Sequence, residues 1–149
     1  MTRHEQETGG TGPGHRSISM RRSGTGTYIV TNARGGEISI GSGDNDDFTP
    51  VELFLTSIAG CSAVDVDFIT SRIAEPTHFT VTAAGDKLRD EHGNHMGEIE
   101  VTFTVRFPRG ADGDRARERL PRAIEQSHDR LCTVSRSVQI GTPIHMREN

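Results

Sequence analysis

The chain contains two cysteines, Cys61 and Cys132, which are too far apart to form a CxxC motif. The thiolate rather than the thiol attacks electrophiles such as peroxides, so a reactive cysteine needs a cation, hydrogen bonds or a helix start to stabilise its charge. Two cysteines in a cytosolic protein are more often buried, inert thiols than a redox-active pair. The surroundings of each cysteine therefore decide between these two interpretations.

The composition describes a small and polar protein. The chain has 149 residues, of which 32% are hydrophobic, and this length is typical of one domain. A single chain this polar builds a thin core, so we expect an intertwined oligomer that shares a larger one.

Charge and hydropathy patterns exclude several functional classes. The net charge is -4 and the basic residues are scattered, which argues against a nucleic-acid-binding protein. No segment is interpreted as one of the roughly 20-residue apolar stretches that cross a bilayer. Because no apolar run follows the N-terminal charges, we predict no signal peptide and a cytoplasmic location.

The sequence pattern predicts an α+β chain in the order β-β-β-α-β-β-α-β. Residues 1–16 are rich in glycine and polar side chains and are predicted to be a disordered leader. Residues 17–149 are predicted to be a single domain. Its first part is a three-stranded meander, and a helix over residues 51–72 follows. Thr49, Pro50 and Glu52 form a capping-box signal at the start of that helix, which is apolar nearly all round.

The second half of the chain is predicted to begin with a hairpin. Residues 79–83 and 98–107 alternate as strands, with a charged tip over residues 86–97. A helix over residues 114–128 follows, and Pro121 is expected to kink it or to mark a second start. Residues 132–136 are predicted to be a short helix and residues 137–144 a last strand.

Two short motifs around the cysteines resemble the signatures of the OsmC/Ohr family. The first is Thr49-Pro50-Val51-Glu52-Leu53, followed by the small-residue stretch that contains Cys61. The second is Cys132-Thr133-Val134-Ser135, where the family has Cys-Pro-Val-Ser. The resemblance extends over nearly the whole predicted domain, including the order of elements and the separation of the two cysteines.

The resemblance implies a fold, an activity and a set of partners. Members of the family are intertwined homodimers that reduce organic hydroperoxides through a two-cysteine mechanism. Cys61 would become a sulfenic acid and Cys132 would resolve it as a disulfide, which a dithiol reductant of the lipoyl type then reduces. A glutamate and an arginine activate the first thiol, and neither a metal nor another cofactor is required.

Glu52 matches the family's glutamate, but its position raises a geometric question. Nine residues at about 100° each place it about 180° around the helix from Cys61. Either the helix begins after Glu52, or Glu52 serves the cysteine of the other subunit, which we favour. A role only in the capping box is equally compatible with the sequence.

The family's arginine comes from the first hairpin, where this chain has Arg21 and Arg22, with Arg34 in the next turn. We predict Arg22, because it lies beside the turn that Ser23 and Gly24 form. Asp65 lies one helical turn after Cys61 on the same face, and a carboxylate there disfavours a thiolate.

Two functions therefore remain open at the level of sequence. The first is a thiol peroxidase acting on organic hydroperoxides, with Cys61, Cys132, Glu52 and Arg22 as its catalytic residues. The alternative is a non-catalytic dimer that binds a small apolar or acyl ligand or acts as a redox sensor. His92 and His95 flank a turn, but zinc requires further ligands, so we predict no metal site.

Overall fold

The structure of the protein is a computed structural model that describes residues 14–149. Most of the predicted leader therefore lies outside the described residues. The chain divides into two compact units, Met1–Glu52 and Leu53–Asn149. The prediction of one domain over residues 17–149 stays a prediction.

The first unit contains an antiparallel three-stranded sheet in the order β1-β2-β3, which confirms the predicted meander. Its strands are β1 (Ile18–Gly24), β2 (Thr27–Asn32) and β3 (Glu37–Ile40). The Asn32 side chain forms the second turn by accepting hydrogen bonds from the amides of Arg34 and Gly36, each at 3.0 Å. Such side-chain acceptance is the reason asparagine favours turns.

The long helix α1 (Pro50–Ser71) begins with the predicted capping box. The Glu52 amide donates to Thr49 Oγ1 at 3.3 Å, and the Thr49 amide donates to Glu52 Oε1 at 2.9 Å. These bonds satisfy two amides that a helix start otherwise leaves without partners. Because the helix begins before Glu52, the alternative in which it begins after that residue is wrong.

Helix α1 has one buried face and one exposed apolar face within the chain. Residues at a spacing of four, Ile58, Ser62, Val66 and Thr70, are buried. On the opposite side Val64 and Phe68 are 51% and 63% exposed. The helix is long and apolar enough to cross a membrane by length and composition, with a mean hydropathy of 1.5 over 18 residues, of which 22% are buried. The expectation that no segment reaches this limit was therefore wrong.

The second unit contains the antiparallel hairpin of β4 (His78–Asp90) and β5 (Gly93–Arg106). Its strands are longer than predicted, and the turn is reduced to Glu91 and His92. The charged segment over residues 86–97 was wrongly interpreted as a tip, because backbone pairing continues where both faces are exposed to solvent. At the bulge in β4, a side chain on Gly85 would lie 2.8 Å from the Glu98 carbonyl oxygen, so glycine permits this close approach.

Three consecutive helical segments complete the second unit. These are α2 (Ala111–Gln126), a π-helical turn (Ser127–Leu131) and α3 (Thr133–Gln139). Helix α2 runs through Pro121 without interruption, so that proline does not mark a second start. The irregularity instead lies in the π turn, directly before Cys132. Such turns frequently occur at functional sites.

The predicted last strand over residues 137–144 is wrong. Helix α3 continues to Gln139, and the chain beyond Thr142 has no regular structure. The apolar residues of this segment, Val138, Ile140 and Ile144, are all exposed. Within the described residues, the protein is therefore an α+β chain with three α-helices and two antiparallel sheets.

The charge of Glu52 should stabilise the helix start in a pH-dependent way. Hydrogen bonds from the Thr49 amide, and then from its side chain, hold the pKa of Glu52 below its ordinary value. A lowered folded-state pKa gives stability above the unfolded-state pKa that is lost as pH falls through the folded-state value. We expect Glu52→Gln to be less stable than wild type at neutral pH in urea unfolding, with a difference that disappears in acid. An equal difference at all pH values would contradict this, and Glu125→Gln on the exposed face of α2 is the matched control.

Candidate active site

The first sulfur is positioned by α1. Cys61 precedes Ser62 of the buried stripe and is itself half-buried, so its thiol lies at the edge between the packed and the exposed face. Small neighbours, Gly60 and Ala63, keep this part of the helix narrow. A sulfur at such an edge can contact the protein on one side and a small reactant on the other.

The second sulfur is positioned by the π turn and the start of α3. Cys132 is fully buried, and its amide donates to the Ser127 carbonyl oxygen at 2.9 Å, which closes the wide turn. Its backbone is then extended, and it is the N-cap residue of α3. The Ser135 amide donates to Cys132 Sγ at 3.4 Å, which is the bond that a capping side chain normally accepts.

The two cysteines lie together although they are far apart in sequence. The side chains of Cys61 and Cys132 lie near enough to influence each other's ionisation, and both are free thiols. The first-turn amides of α3 approach both sulfurs, with Val134 donating to Cys61 and Ser135 donating to Cys132. The structure thus brings the two predicted redox residues into one site within the second unit.

Their surroundings shift the pKa values of the two thiols in opposite directions. Burial raises the pKa of Cys61, and the neighbouring Cys132 and Asp65 raise it further against the opposing Val134 amide. Burial also opposes ionisation of Cys132, but hydrogen bonds outweigh it and lower its pKa. The donors of those bonds are Ser135, through its hydroxyl and its amide, Cys61 and Ser62. The two sulfurs are therefore not equivalent.

A hydrogen bond between α1 and the π turn supports this arrangement. The Ser127 hydroxyl donates to Asp65 Oδ2 at 2.9 Å, and Ser127 is fully buried. The bond satisfies a buried hydroxyl and fixes the turn that carries Cys132 against the helix that carries Cys61. Asp65 was predicted to disfavour a thiolate at Cys61, and its charge does raise that pKa.

A small cavity adjoins the start of α3. Its volume is about 180 Å³, and its lining includes Ser135, whose amide binds Cys132, and Ile58, one turn before Cys61. The remaining lining residues are Ile99, Val101, His128, Val138 and Gln139. The cavity is smaller than the roughly 300 Å³ at which ordinary ligand pockets begin.

The predicted activating residues belong to the first unit. Glu52 forms the capping box described above, and the Arg22 guanidinium donates to Thr25 Oγ1 at 3.0 Å across the first turn. Arg21 lies 3.9 Å from Glu37 Oε1 in an exposed ion pair, and Arg34 lies in the second turn. The roles of Glu52 and Arg22 at the thiols stay predictions.

Sequence reasoning missed Ser62, Ser135 and the π turn. Ser135 could have been found, because it occupies the third position after the N-cap Cys132, where an amide commonly binds a capping side chain. The π turn and the bond between Asp65 and Ser127 have no comparable signal in the sequence. Of the discounted histidines, His92 lies in the hairpin turn, where its amide donates to Asp90 Oδ1 at 2.8 Å, and His95 lies on β5. The described residues contain no group of three or more potential metal ligands.

The fold and the site define a class of α+β proteins in which a cysteine on a long helix meets a second cysteine that caps a short one. Comparison with protein families assigns the chain more closely. The family described as OsmC-like protein matches residues 43–147, which is more than half of the chain. This protein therefore belongs to the OsmC-like family, which confirms the resemblance noted in the sequence.

Known relatives and solved structures agree with this assignment. An uncharacterized protein of Mycobacterium tuberculosis is 30% identical over 129 residues, covering 85% of this chain and 91% of its own. An OsmC-like protein of unknown function from Vibrio cholerae has a similar structure, with a TM-score of 0.69, 14% identity and coverage of 84% and 94%. The organic hydroperoxide resistance protein OhrB of Bacillus subtilis has a TM-score of 0.54, 17% identity and coverage of 84% and 90%. The two structures share the fold.

Proposed function

We propose that this protein is a thiol-dependent peroxidase that reduces organic hydroperoxides and serves in defence against oxidative stress. The contact between Cys61 and Cys132 is the observation that supports the proposal most strongly. A sulfenic acid formed on one sulfur avoids over-oxidation only if a second thiol can reach it. Membership of the OsmC-like family, together with the fold shared with a hydroperoxide resistance protein, supports the same chemistry.

The half-buried sulfur is the better candidate for attack on the substrate. Cys61 is partly accessible whereas Cys132 is fully buried, so a hydroperoxide reaches Cys61 first. Cys61 would then be the peroxidatic residue and Cys132 the resolving residue. A dithiol of the lipoyl type would reduce the disulfide, and a cytoplasmic location would supply that reductant. The reaction requires no metal or bound cofactor.

The alternative function is binding of a small apolar or acyl ligand without catalysis, or redox sensing. The cavity at the start of α3 has apolar walls at Ile58, Ile99 and Val101, which suits an alkyl group. At about 180 Å³ it suits a short group better than a long acyl chain. This size favours a small reactant over a long-chain ligand.

Counting thiols after peroxide treatment tests the proposed function. Reduced protein is mixed with a slight excess of cumene hydroperoxide, and free thiols are counted over seconds to minutes. We expect the wild type to lose both thiols and Cys61→Ser to lose neither. Cys132→Ser should lose its remaining thiol and become over-oxidised, because no second sulfur can resolve the sulfenic acid. Slow loss in all three proteins would refute the peroxidase and favour the ligand-binding alternative.

Arg22 is the arginine that we propose as activator of Cys61. A guanidinium beside a thiol favours the charged form, and one pKa unit corresponds to a tenfold change in the thiolate fraction. We expect Arg22→Ala to oxidise at least about tenfold more slowly with cumene hydroperoxide, whereas Arg21→Ala and Arg34→Ala keep the wild-type rate. A loss confined to either of those two controls would transfer the role to that residue.

We propose that the exposed apolar face of α1 is covered by a second copy of the chain. A helix that is apolar all round is normally buried, yet Val64 and Phe68 are exposed within this chain. In such a homodimer, Glu52 of one subunit could serve the Cys61 of the other, since one unbroken helix directs them to opposite sides.

Size-exclusion chromatography with light scattering tests the dimer. We expect the wild type to elute with the mass of two chains and Phe68→Glu to shift towards one, because a charge on the shared face would be buried without a partner. Ile144→Glu, at an exposed apolar residue outside α1, is the matched control and should stay dimeric. A monomeric wild type would contradict the proposal.

A further inference from the structure

Ser127 connects the π turn that precedes Cys132 to helix α1. Of the five residues of this turn, Ser127–Leu131, only Ser127 is buried, and the other four are exposed. Its hydroxyl donates to Asp65 Oδ2 at 2.9 Å, and its carbonyl oxygen accepts from the Cys132 amide at 2.9 Å. A single residue therefore links the second cysteine to the helix that carries Cys61.

This connection lies beside the pair of cysteines. Asp65 follows Cys61 by four residues, so both belong to one face of α1 and are about 6 Å apart along its axis. Ser127 and Cys132 are joined by the hydrogen bond that closes the π turn. The bond between Asp65 and Ser127 therefore crosses between the same two elements as the two sulfurs. A shift of the π turn that separates the sulfurs also stretches or breaks this bond.

A buried hydroxyl does not need so distant a partner. Thr70 is as fully buried as Ser127, and its hydroxyl donates to the Val66 carbonyl oxygen in its own helix at 2.9 Å. Serine and threonine hydroxyls in helices can make this bond to the carbonyl four residues back. Ser127 instead donates to a carboxylate that is 62 residues away in sequence. A hydrogen bond to a charged acceptor is stronger than one between neutral groups, and this one joins two elements.

We propose that Asp65 is a positioning residue for the resolving cysteine, because its hydrogen bond to Ser127 holds the turn that precedes Cys132 within reach of an oxidised Cys61. The inference rests on the proposed function and adds a residue to its second step. A displacement of about 1 Å can slow a reaction about 100-fold, so a small movement of the turn affects resolution. Turns of the π type are frequent at functional sites.

The step that depends on this position is closure of the disulfide. The S–S bond forms between Cys132 and the Cys61 sulfenic acid as the S–O bond of the sulfenic acid breaks. The Cys132 sulfur is oxidised as the Cys61 sulfur is reduced by the same amount, and the Cys132 proton leaves with the hydroxyl group as water. A second hydroperoxide competes by transferring an oxygen atom to the sulfenic acid, which gives a sulfinic acid and an alcohol. Slower closure therefore causes over-oxidation at lower peroxide concentrations.

Intact-mass spectrometry after peroxide treatment measures this competition. Reduced proteins are treated with increasing cumene hydroperoxide, and the products are counted as disulfide or sulfinic acid. We expect Ser127→Ala to reach half over-oxidation at about tenfold less peroxide than wild type, because closure is slowed and the competing reaction is not. Asp65→Ala should match it, and the double variant should be no worse, since all three lose the same bond. Equal values in wild type and either single variant would overturn the proposal.

Two further variants separate position from charge and from general stability. Asp65→Asn keeps an acceptor for the Ser127 hydroxyl but loses the charge, and should over-oxidise at the wild-type concentration. Thr70→Val removes an equally buried hydroxyl bond within α1 alone and is the matched control. A loss in Asp65→Asn as large as in Asp65→Ala would assign the effect to the charge and overturn the positioning role. The same loss in Thr70→Val would overturn it in favour of general destabilisation.

The thiol–disulfide equilibrium tests position without any peroxide. Each protein is equilibrated with mixtures of reduced and oxidised dithiothreitol, which exchange two electrons with the cysteine pair, and the oxidised fraction is measured. We expect the equilibrium constant for the disulfide to fall about tenfold in Ser127→Ala, which makes its potential about 30 mV less negative than that of wild type. The reason is that a thiol held in place loses less freedom when the bond forms. An unchanged potential in Ser127→Ala would contradict the proposal.

The two proposals fail in different ways. If hydroperoxide oxidises Cys61 in none of the proteins, the peroxidase falls, and the dithiothreitol equilibrium still decides whether Asp65 positions Cys132. If peroxide closes the disulfide equally well in wild type and Ser127→Ala, the peroxidase stands and the positioning role is rejected.

Discussion

The start of helix α3 is the constraint on which the site depends. Its first-turn amides have no partners within the helix, and two of them, from Val134 and Ser135, are directed to the two sulfurs. A Ser, Thr, Asp or Asn N-cap would satisfy such an amide with an oxygen, whereas here the Cys132 sulfur accepts from the Ser135 amide. The Cys132 sulfur therefore caps the helix, and the same hydrogen bond lowers the pKa of its thiol.

The π turn explains how Cys132 reaches this position. The π turn at the end of α2 is closed by the hydrogen bond from the Cys132 amide to the Ser127 carbonyl oxygen. The buried hydrogen bond from the Ser127 hydroxyl to Asp65 holds that turn against α1. Asp65 then has two effects, because it anchors the second cysteine and disfavours charge on the first. The carboxylate that counted against a thiolate at Cys61 in the sequence becomes part of the asymmetry between the two sulfurs.

Much of the fold could be predicted from local signals. The capping box at Thr49 and Glu52, the strand alternation before Phe107 and the short helix after Cys132 are each determined by neighbours a few residues away. The errors occurred where local signals are ambiguous. A charged strand such as the end of β4 pairs through its backbone alone, whereas the exposed segment around Ile140 pairs with no strand in the part of the chain that the structure describes.

The sequence by itself determined the two cysteines, the helix that carries Cys61 and the short helix that follows Cys132, because these depend on residue type and short spacing. Only the tertiary structure decided that the sulfurs meet and that the pKa values of their thiols shift in opposite directions. That outcome depends on Ser62, Asp65 and Ser127, whose effects act across elements far apart in the chain. A pKa is set by every donor and charge near a group, and no pattern within one segment records which distant residues will become its neighbours.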